Sequence, residues 1–595
     1  MIPSLKTILF DDSFNQSIPI GCLPQSIHTL KFGYKFNKSI LPGSLPESLV
    51  ELTFGHDFNR TLQWKPSAIT SSSSSTSSSL VKDIPTPSLP QSITRLTFGE
   101  SFNNTVAAYD GTLLPRSLTE LNFGNDFDQP LPANSLPLSL EVLRFSNWYN
   151  QQCMAAVSQL QSLKQLQFST PAILTTSQSR PLPKWDPSHT FPSSLTYLAI
   201  SVTELGKDLI LPPFIQTLIL SGLKSDIVPG IIPPSLTSLT LLEFNNFIEP
   251  HSLPNDLKHL DLDPRYNRLL ASGSLPQSIT KLSIGIDFIP RNDILPTSLI
   301  ELSFLPLSPG LPQRTLWTFN EPIDHYFLPP KLMSLTFGPS FNRPIAPGTL
   351  PESLTSISFG FQFHQPIEPG TFPNSIKSIR FGEMFNKVLD IGVFPDSLES
   401  LFFGLYFNQP IVPGVLPRGL TTLHFCYYFE QYLSPDTLPP SLTSLEIGMK
   451  EVHAELLPKS ITRLGIERMF IHKSPEDLPN LKYLRLPSIN SLDSIGDKVH
   501  VGVVDFNDPL TLKILSCFKI SITRRLPSVH VKIDCQELTN DLIKIVANSF
   551  PNVRDIHIVY NLKIDKVLLR RIDKRICIMM REQTRDKLIR IIELV

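Results

Sequence analysis

The sequence predicts a mostly β solenoid in which a unit of about 22 residues stacks on itself and forms a curved parallel sheet. Three observations predict it: a Leu/Phe-Pro dipeptide recurs at constant spacing, apolar residues alternate in a short segment of each unit, and 56 of the 595 residues are proline. So much proline cannot lie in helix interiors. Stacked units bury one continuous core, so the usual estimate of one domain per roughly 150 residues does not apply.

The repeat is most regular between Pro329 and Pro439, where the prolines of the dipeptide are 22 residues apart. A representative unit, LPESLTSISFGFQFHQPIEPGT, runs from Leu350 to Thr371. Its general form is L-P-x-S-L-T-x-L-x-F-G-x-x-F-N-x-P-I-x-P-G-x. A unit of this size cannot bury its own apolar face, so neighbouring units must stack with their strands in parallel register.

Each unit contains one short predicted strand. Because side chains alternate along a strand, we expect Leu52 and Phe54 to face the core and Glu51 and Thr53 to face solvent. The glycine after the strand phenylalanine, as at Gly55, is expected to provide a positive φ where the strand ends. The Phe-Asn pair that follows predicts a second core layer, with the asparagine side chain bound to the backbone of the neighbouring turn. The closing P-I-x-P-G segment predicts extended backbone and a turn.

This pattern resembles the FNIP repeat, a leucine-rich-repeat variant, over roughly residues 1–490. The resemblance implies a leucine-rich-repeat-like curved parallel sheet of FNIP repeats. Some relatives carry an F-box or a kinase domain in front of the repeats. Here we expect the repeats to begin at Leu5 or earlier, with no F-box before them, so an adaptor role in ubiquitination is an alternative that the resemblance alone does not support.

The predicted organisation has two parts. Residues 1–490 are expected to form the solenoid, with insertions at about 60–88, 169–190 and 305–328, and residues 491–595 a small α/β C-terminal cap. In the first insertion, a serine-rich run replaces a whole unit, either as a tolerated loop or as a phosphorylated regulatory loop.

Four further segments carry their own predictions. Residues 146–162 lack proline and can form one short helix. In the third insertion, Trp317 and Tyr326 either face a ligand or pack beneath the loop. Residues 529–534, 554–560 and 575–580 predict strands, and 538–550 a helix. Residues 563–595 carry ten Lys or Arg against five Asp or Glu, an excess that is typical of a solvated helix face, with an acidic partner as the alternative.

Composition narrows the function. A formal net charge of −1 provides no long-range attraction for nucleic acid or for an anionic membrane. No signal peptide or apolar run of membrane-spanning length is evident, and the six cysteines lack CxxC spacing, so we expect reduced thiols and a cytoplasmic protein. No phosphate-binding loop, HExxH or G-x-S-x-G motif is present, so we expect no enzyme, no cofactor, no metal and no catalytic residue.

The predicted function is a non-catalytic protein–protein interaction scaffold that binds a protein partner of unknown identity on the concave face of the sheet. Most units place Ser or Thr at the solvent-facing strand positions, but several consecutive units carry larger side chains there. An exposed aromatic residue ringed by charged side chains is typical of a protein-binding hot spot. The candidate partner-binding residues are Arg380, Phe402, His424, Glu446, Arg463, Tyr483 and Arg485.

Other interpretations remain open at this point. The candidate residues can also reflect ordinary variation at solvent positions. A second group, His259, Asp261, Lys281 and Glu301, has mixed signs that predict mutual ion pairing. The alternative functions are a structural, self-associating repeat protein and an enzyme within the C-terminal region.

Overall fold

A computed structural model describes the chain in two compact units, Met1–Ile284 with Pro306–Pro312, and Gly285–Leu305 with Gln313–Val595. The residues described are 5–64, 86–108, 111–145, 149, 151–168, 190–206, 209–263, 266–285, 294–304, 319–448, 452–453, 456–466, 471–472, 478 and 480–486, together with six strands between Val503 and Glu593. Each unit is a parallel β-solenoid, as the repeat predicts.

The first unit contains twelve short strands that pair in parallel register, each with the strand of the next turn. The strands are Thr7–Leu9, Thr29–Lys31, Glu51–Thr53, Arg95–Thr97, Glu120–Asn122, Val142–Arg144, Gln165–Gln167, Tyr197–Ser201, Thr217–Ser221, Ser238–Leu242, His259–Leu262 and Lys281–Ser283.

The second unit begins with parallel strands of the same kind. These are Glu301–Ser303, Ser334–Thr336, Ser356–Ser358, Ser378–Arg380, Ser400–Phe402, Thr422–His424, Ser444–Ile447, Arg463–Ile466, Tyr483–Leu486, Val503–Phe506, Ser528–Lys532 and Asp555–Tyr560. Three antiparallel strands follow: Asp565–Arg571, Ile576–Gln583 and Asp586–Glu593.

Short strand pairs lie beside the turns. Gln63–Trp64 pairs antiparallel with Thr86–Pro87, and Ala107–Ala108 with Gly111–Thr112. Val452–His453 pairs in parallel with Ile471–His472. The serine-rich run lies between Gln63–Trp64 and Thr86–Pro87 in the chain. Glu51–Thr53 pairs directly with Arg95–Thr97, 44 residues further along the chain.

The core follows the alternation that the strand segment predicts. Leu52 is 0% exposed and Phe54 2% exposed, whereas Glu51 and Thr53 are half-buried. The second phenylalanine of each 22-residue repeat forms the predicted second layer. Within one turn the rings of Phe381 and Phe385 stack at 3.9 Å, and each ring also stacks on its equivalents in the adjacent turns. These ring contacts add to the free energy gained by burying the apolar surface.

The asparagine of the Phe-Asn pair forms a ladder between turns, as predicted. The backbone N–H of Asn37 donates to Oδ1 of Asn15 at 3.0 Å, and the N–H of Asn59 donates to Oδ1 of Asn37 at 3.1 Å. In the second unit, Asn408 donates in the same way to Asn386. Each asparagine therefore satisfies a backbone donor of the following turn.

The glycine after the strand phenylalanine was predicted to provide a positive φ, and this prediction is wrong. Gly55 and its equivalents do not have a positive φ. A Cβ on Gly55 would lie 1.7 Å from the carbonyl oxygen of Gly33 in the preceding turn, and a Cβ on Gly382 1.6 Å from that of Gly360. The residue is glycine because two backbones approach closely. Positive φ belongs instead to the glycine of the closing turn, such as Gly414 with φ 91°.

The prediction of one short helix within 146–162 is confirmed by Met154–Val157. The basic segment 563–595 does not form a helix face, because Asp565–Arg571, Ile576–Gln583 and Asp586–Glu593 are strands. The predicted strands at 529–534, 554–560 and 575–580 are confirmed by the strands Ser528–Lys532, Asp555–Tyr560 and Ile576–Gln583. The predicted helix at 538–550 lies outside the described residues.

A candidate protein-binding ladder on the sheet

Four of the candidate residues are direct neighbours across the sheet of the second unit. The strand register aligns Arg380 with Phe402, Phe402 with His424, and His424 with Glu446. All four occupy the third position of their strands, where the pleat directs the side chain away from the buried leucine or isoleucine of the second position. Consecutive turns therefore place these side chains side by side on the solvent-facing side of the sheet.

The first contact in this row is a cation–π pair. The guanidinium carbon of Arg380 lies 4.2 Å from the centroid of the Phe402 ring. On its other side, Phe402 meets the His424 ring edge-to-face, with centroids 6.1 Å apart. Arg380 is exposed and Phe402 is half-buried. Stacking holds the guanidinium in place while leaving its N–H groups available to another molecule.

The row continues through Glu446 to Arg485. Glu446 Oε2 lies 3.3 Å from Nε2 of His424 and 2.6 Å from a guanidinium nitrogen of Arg485. Gly465 lies between Glu446 and Arg485 in the sheet. A Cβ at Gly465 would lie 3.0 Å from Cγ of Glu446 and 3.4 Å from Nε of Arg485. The absent side chain gives the two longer ones the space to meet.

The remaining candidates form a second cation–π pair on the first strand position. Arg463 and Tyr483 are in register, and the guanidinium carbon of Arg463 lies 4.0 Å from the Tyr483 ring centroid. Arg463 is exposed. The structure thus places all seven candidate residues on adjoining strands of one sheet. We name Arg380, Phe402, His424, Glu446, Arg463, Tyr483 and Arg485 the arginine–aromatic ladder.

Three members of the second candidate group lie on two paired strands of the first unit. His259 is in register with Lys281, and Asp261 with Ser283, whereas Glu301 belongs to the other compact unit. The Thr240 hydroxyl donates to Oδ2 of Asp261 at 3.3 Å. Burial raises the pKa of Asp261, although Lys281 and His259 act against this rise. Burial therefore has a larger effect on the pKa of Asp261 than the neighbouring cations Lys281 and His259 have.

Other surface features were missed from sequence. Gly465 has no part in the prediction, although a glycine inside a strand is a signal of close approach. Tyr406 and Tyr428 stack at 5.5 Å and are 45% and 42% exposed. They occupy equivalent positions between the strand and the second core phenylalanine, a signal visible in the repeat. Tyr326 is 66% exposed, so packing beneath its loop is wrong for this residue. Trp317 lies outside the described residues.

The repeat sequence also identifies the family of this chain. The family described as "FNIP Repeat" matches residues 3–35, 14–57, 36–65, 110–147, 225–265, 244–287, 266–305, 319–362, 363–406 and 407–450, which together make up more than half of the chain. The chain belongs to the FNIP-repeat family. The FNIP-repeat matches include the strands that carry Arg380, Phe402, His424 and Glu446.

Two solved structures resemble this FNIP-repeat chain. CroV588, a protein described as a novel circular LRR structure, is 27% identical, covers 94% of this chain and 86% of its own, and superposes with a TM-score of 0.58. The functional domain of InlJ from Listeria monocytogenes is 10% identical with 84% of each chain covered and a TM-score of 0.24. No curated protein sequence matches.

The described residues contain no group of three or more His, Cys, Asp or Glu side chains arranged to hold a metal ion. None of the helices found there is long and apolar enough to cross a membrane. Cys22, Cys153 and Cys426 are free thiols.

Proposed function

We propose that this FNIP-repeat chain is a non-catalytic protein-interaction scaffold and that its partner binds the arginine–aromatic ladder. The single observation that supports this most strongly is the row of contacts from Arg380 through Phe402 and His424 to Glu446. In the three turns before Arg380, the corresponding positions carry Ser303, Thr336 and Ser358. Arginine and aromatic residues are enriched where protein interfaces gain most of their binding free energy.

The geometry favours binding by limiting the entropy that is lost. Arg380 and Arg463 are each stacked on an aromatic ring, and Arg485 is held by Glu446. Their rotamers are restricted before a partner arrives, so less side-chain freedom is lost on association. The half-buried ring of Phe402 contributes apolar surface at the centre of the row.

Affinity purification of the intact protein tests the proposal. We expect a partner that is recovered with the unmodified protein and lost with Arg380→Ala plus Phe402→Ala. The matched control is Arg268→Ala plus Phe247→Ala, which removes an exposed cation–π pair of the first unit, with the guanidinium carbon 5.4 Å from the ring centroid. Equal recovery with both double variants would remove the ladder as the binding site.

A second candidate function is self-association, favoured by the first described turn. Phe14 is half-buried, whereas Phe36 and Phe58, its equivalents in the next two turns, are 0% exposed. Among the described strands, Thr7–Leu9 pairs with Thr29–Lys31 alone. An apolar strand edge is a template for pairing with another chain. Light scattering across a dilution series tests this candidate, and a monomer at every concentration would exclude it.

A further inference from the structure

Two arginines of the arginine–aromatic ladder, Arg380 and Arg463, differ from Arg485 in their contacts. Within the described residues, neither Arg380 nor Arg463 forms an ion pair or a side-chain hydrogen bond, and each instead stacks on an aromatic ring of the following strand. Arg485, by contrast, is engaged by Glu446. A guanidinium stacked on a ring keeps its planar fork of N–H donors available, and that fork matches a carboxylate in a bidentate contact.

We propose that the ladder binds an extended acidic segment of a partner protein, with one carboxylate on Arg380 and a second on Arg463. This inference rests on the proposed function and names the chemistry of the partner at the same site. The alternative polyanion is a nucleic acid, but two isolated guanidinium groups on a chain of net charge −1 lack the extended basic surface that neutralises a phosphate backbone.

The spacing of the two arginines defines the segment. Arg380 and Arg463 lie on strands that are four steps apart in the sheet. At a strand separation of about 4.8 Å, this is roughly 20 Å once their offset along the strand is included. Both guanidinium groups lean toward the following strand, so the separation is preserved. An extended chain rises about 3.3 Å per residue, so the two carboxylates belong about six residues apart.

The surface between the arginines accepts such a segment. Ser400, Thr422 and Ser444 occupy the first strand positions there and are small. The one acidic group in this stretch of described strands, Glu446, would repel an acidic peptide if it were unpaired. Its carboxylate is instead neutralised by Arg485 and also contacts His424. The small residues therefore form a shallow path beside Phe402, with a cation at each end.

Immobilised synthetic peptides and the full-length chain test the inference. The probe is E-S-G-S-G-S-E, with its two glutamates six residues apart. One control has the same composition with the glutamates three residues apart, and another has glutamine in place of both glutamates. Binding is measured by biolayer interferometry at low salt, with the unmodified chain, Arg380→Gln, Arg463→Gln and the matched control Arg268→Gln.

We expect the probe to bind at least about fivefold more tightly than either control peptide. Because a guanidinium–carboxylate contact is a charge-assisted hydrogen bond, each of Arg380→Gln and Arg463→Gln should weaken binding about tenfold or more. Arg268→Gln should leave it unchanged, and Arg380→Lys should restore only part of it, since lysine lacks the planar fork.

Three results would overturn the inference: no binding of the probe, binding that ignores glutamate spacing, or tighter binding of an oligouridine RNA through the same arginines. Failure here is distinguishable from failure of the proposed function. If the probe does not bind but a purified partner is still lost with Arg380→Ala plus Phe402→Ala, the ladder remains the binding site and its acidic ligand is excluded.

Discussion

Arg485 and Glu446 are joined at 2.6 Å although their strands are separated by a third. The middle strand contributes Gly465 at the point of contact. At 21% and 18% exposure, the two charged side chains are shielded enough for their interaction to exceed that of an ordinary surface pair. The absence of a side chain at Gly465 thus makes room for an ion pair between two turns whose strands are not adjacent.

The first prediction concerns this gap. Gly465→Val should push Glu446 and Arg485 apart, because even a Cβ would lie 3.0 Å from Glu446 Cγ. We expect a loss of roughly 1–3 kcal/mol in unfolding free energy, the usual effect of overpacking. Urea unfolding measures it. The control is Ser358→Val at the same strand position two turns before Phe402, and an equal effect of both variants would contradict the role of the gap.

The second prediction concerns the asparagine ladder. Oδ1 of Asn342 accepts from the backbone N–H of His364 at 2.9 Å and from Nε2 of Gln365 at 2.9 Å. Asn342→Ala should cost roughly 1–3 kcal/mol, because it leaves a part-buried donor without its acceptor. Asn342→Asp keeps an oxygen there and should cost less, as measured by thermal unfolding. Equal losses for the two variants would indicate that the acceptor is not what matters.

The third prediction separates the two kinds of glycine. A Cβ on Gly360 would lie 1.7 Å from the carbonyl oxygen of Gly338, so Gly360→Ala should cost more than ~4 kcal/mol. Gly392 has φ 88° and nothing within 4 Å of an added Cβ, so Gly392→Ala should cost only ~1–2 kcal/mol. Gly392→Asn should cost less still, since Asn134 occupies the equivalent position with φ 65°. Urea midpoints in the order opposite to this would refute the assignment.

The fourth prediction is a pH dependence at Asp261. Burial raises its pKa above the ordinary value of 3.8, so the folded protein binds this proton more tightly than the unfolded chain does. The contribution of this group to stability is therefore greatest below pH 3.8 and is lost as the pH rises through the raised pKa. Asp261→Asn should increase the melting temperature at pH 7, with a smaller gain near pH 4. A lower melting temperature at pH 7 would contradict the sign.

Sequence reasoning succeeded where one position has the same role in every turn. The burial of Leu52 and Phe54 follows from alternation, and the hydrogen bond that the Asn59 N–H donates to Asn37 follows from stacking. Both were predicted. The lateral alignment of Arg380 with Phe402 follows from a constant repeat length. In each case a local pattern and a parallel register together determine the neighbour.

It failed where the cause lies between turns or in non-local pairing. The clash that requires glycine at position 55 involves the backbone of the preceding turn, so it is not visible within the sequence of one repeat. Asp586–Glu593 is a strand because it pairs with Ile576–Gln583, and its short sequence alone does not distinguish a helix from a strand. Gly465 was missed because the contact that it permits joins residues two turns apart.

The strand pair that closes the serine-rich insertion has a consequence for how this chain tolerates change in length. Gln63–Trp64 and Thr86–Pro87 bring the ends of the insertion together, and Leu52 still aligns with Leu96. We expect extra sequence placed between these two strands to leave the pairing of Glu51–Thr53 with Arg95–Thr97 as it is. We would therefore graft a tag or a folded domain at this position, because the inserted chain would start and end at a strand pair that already holds its ends together.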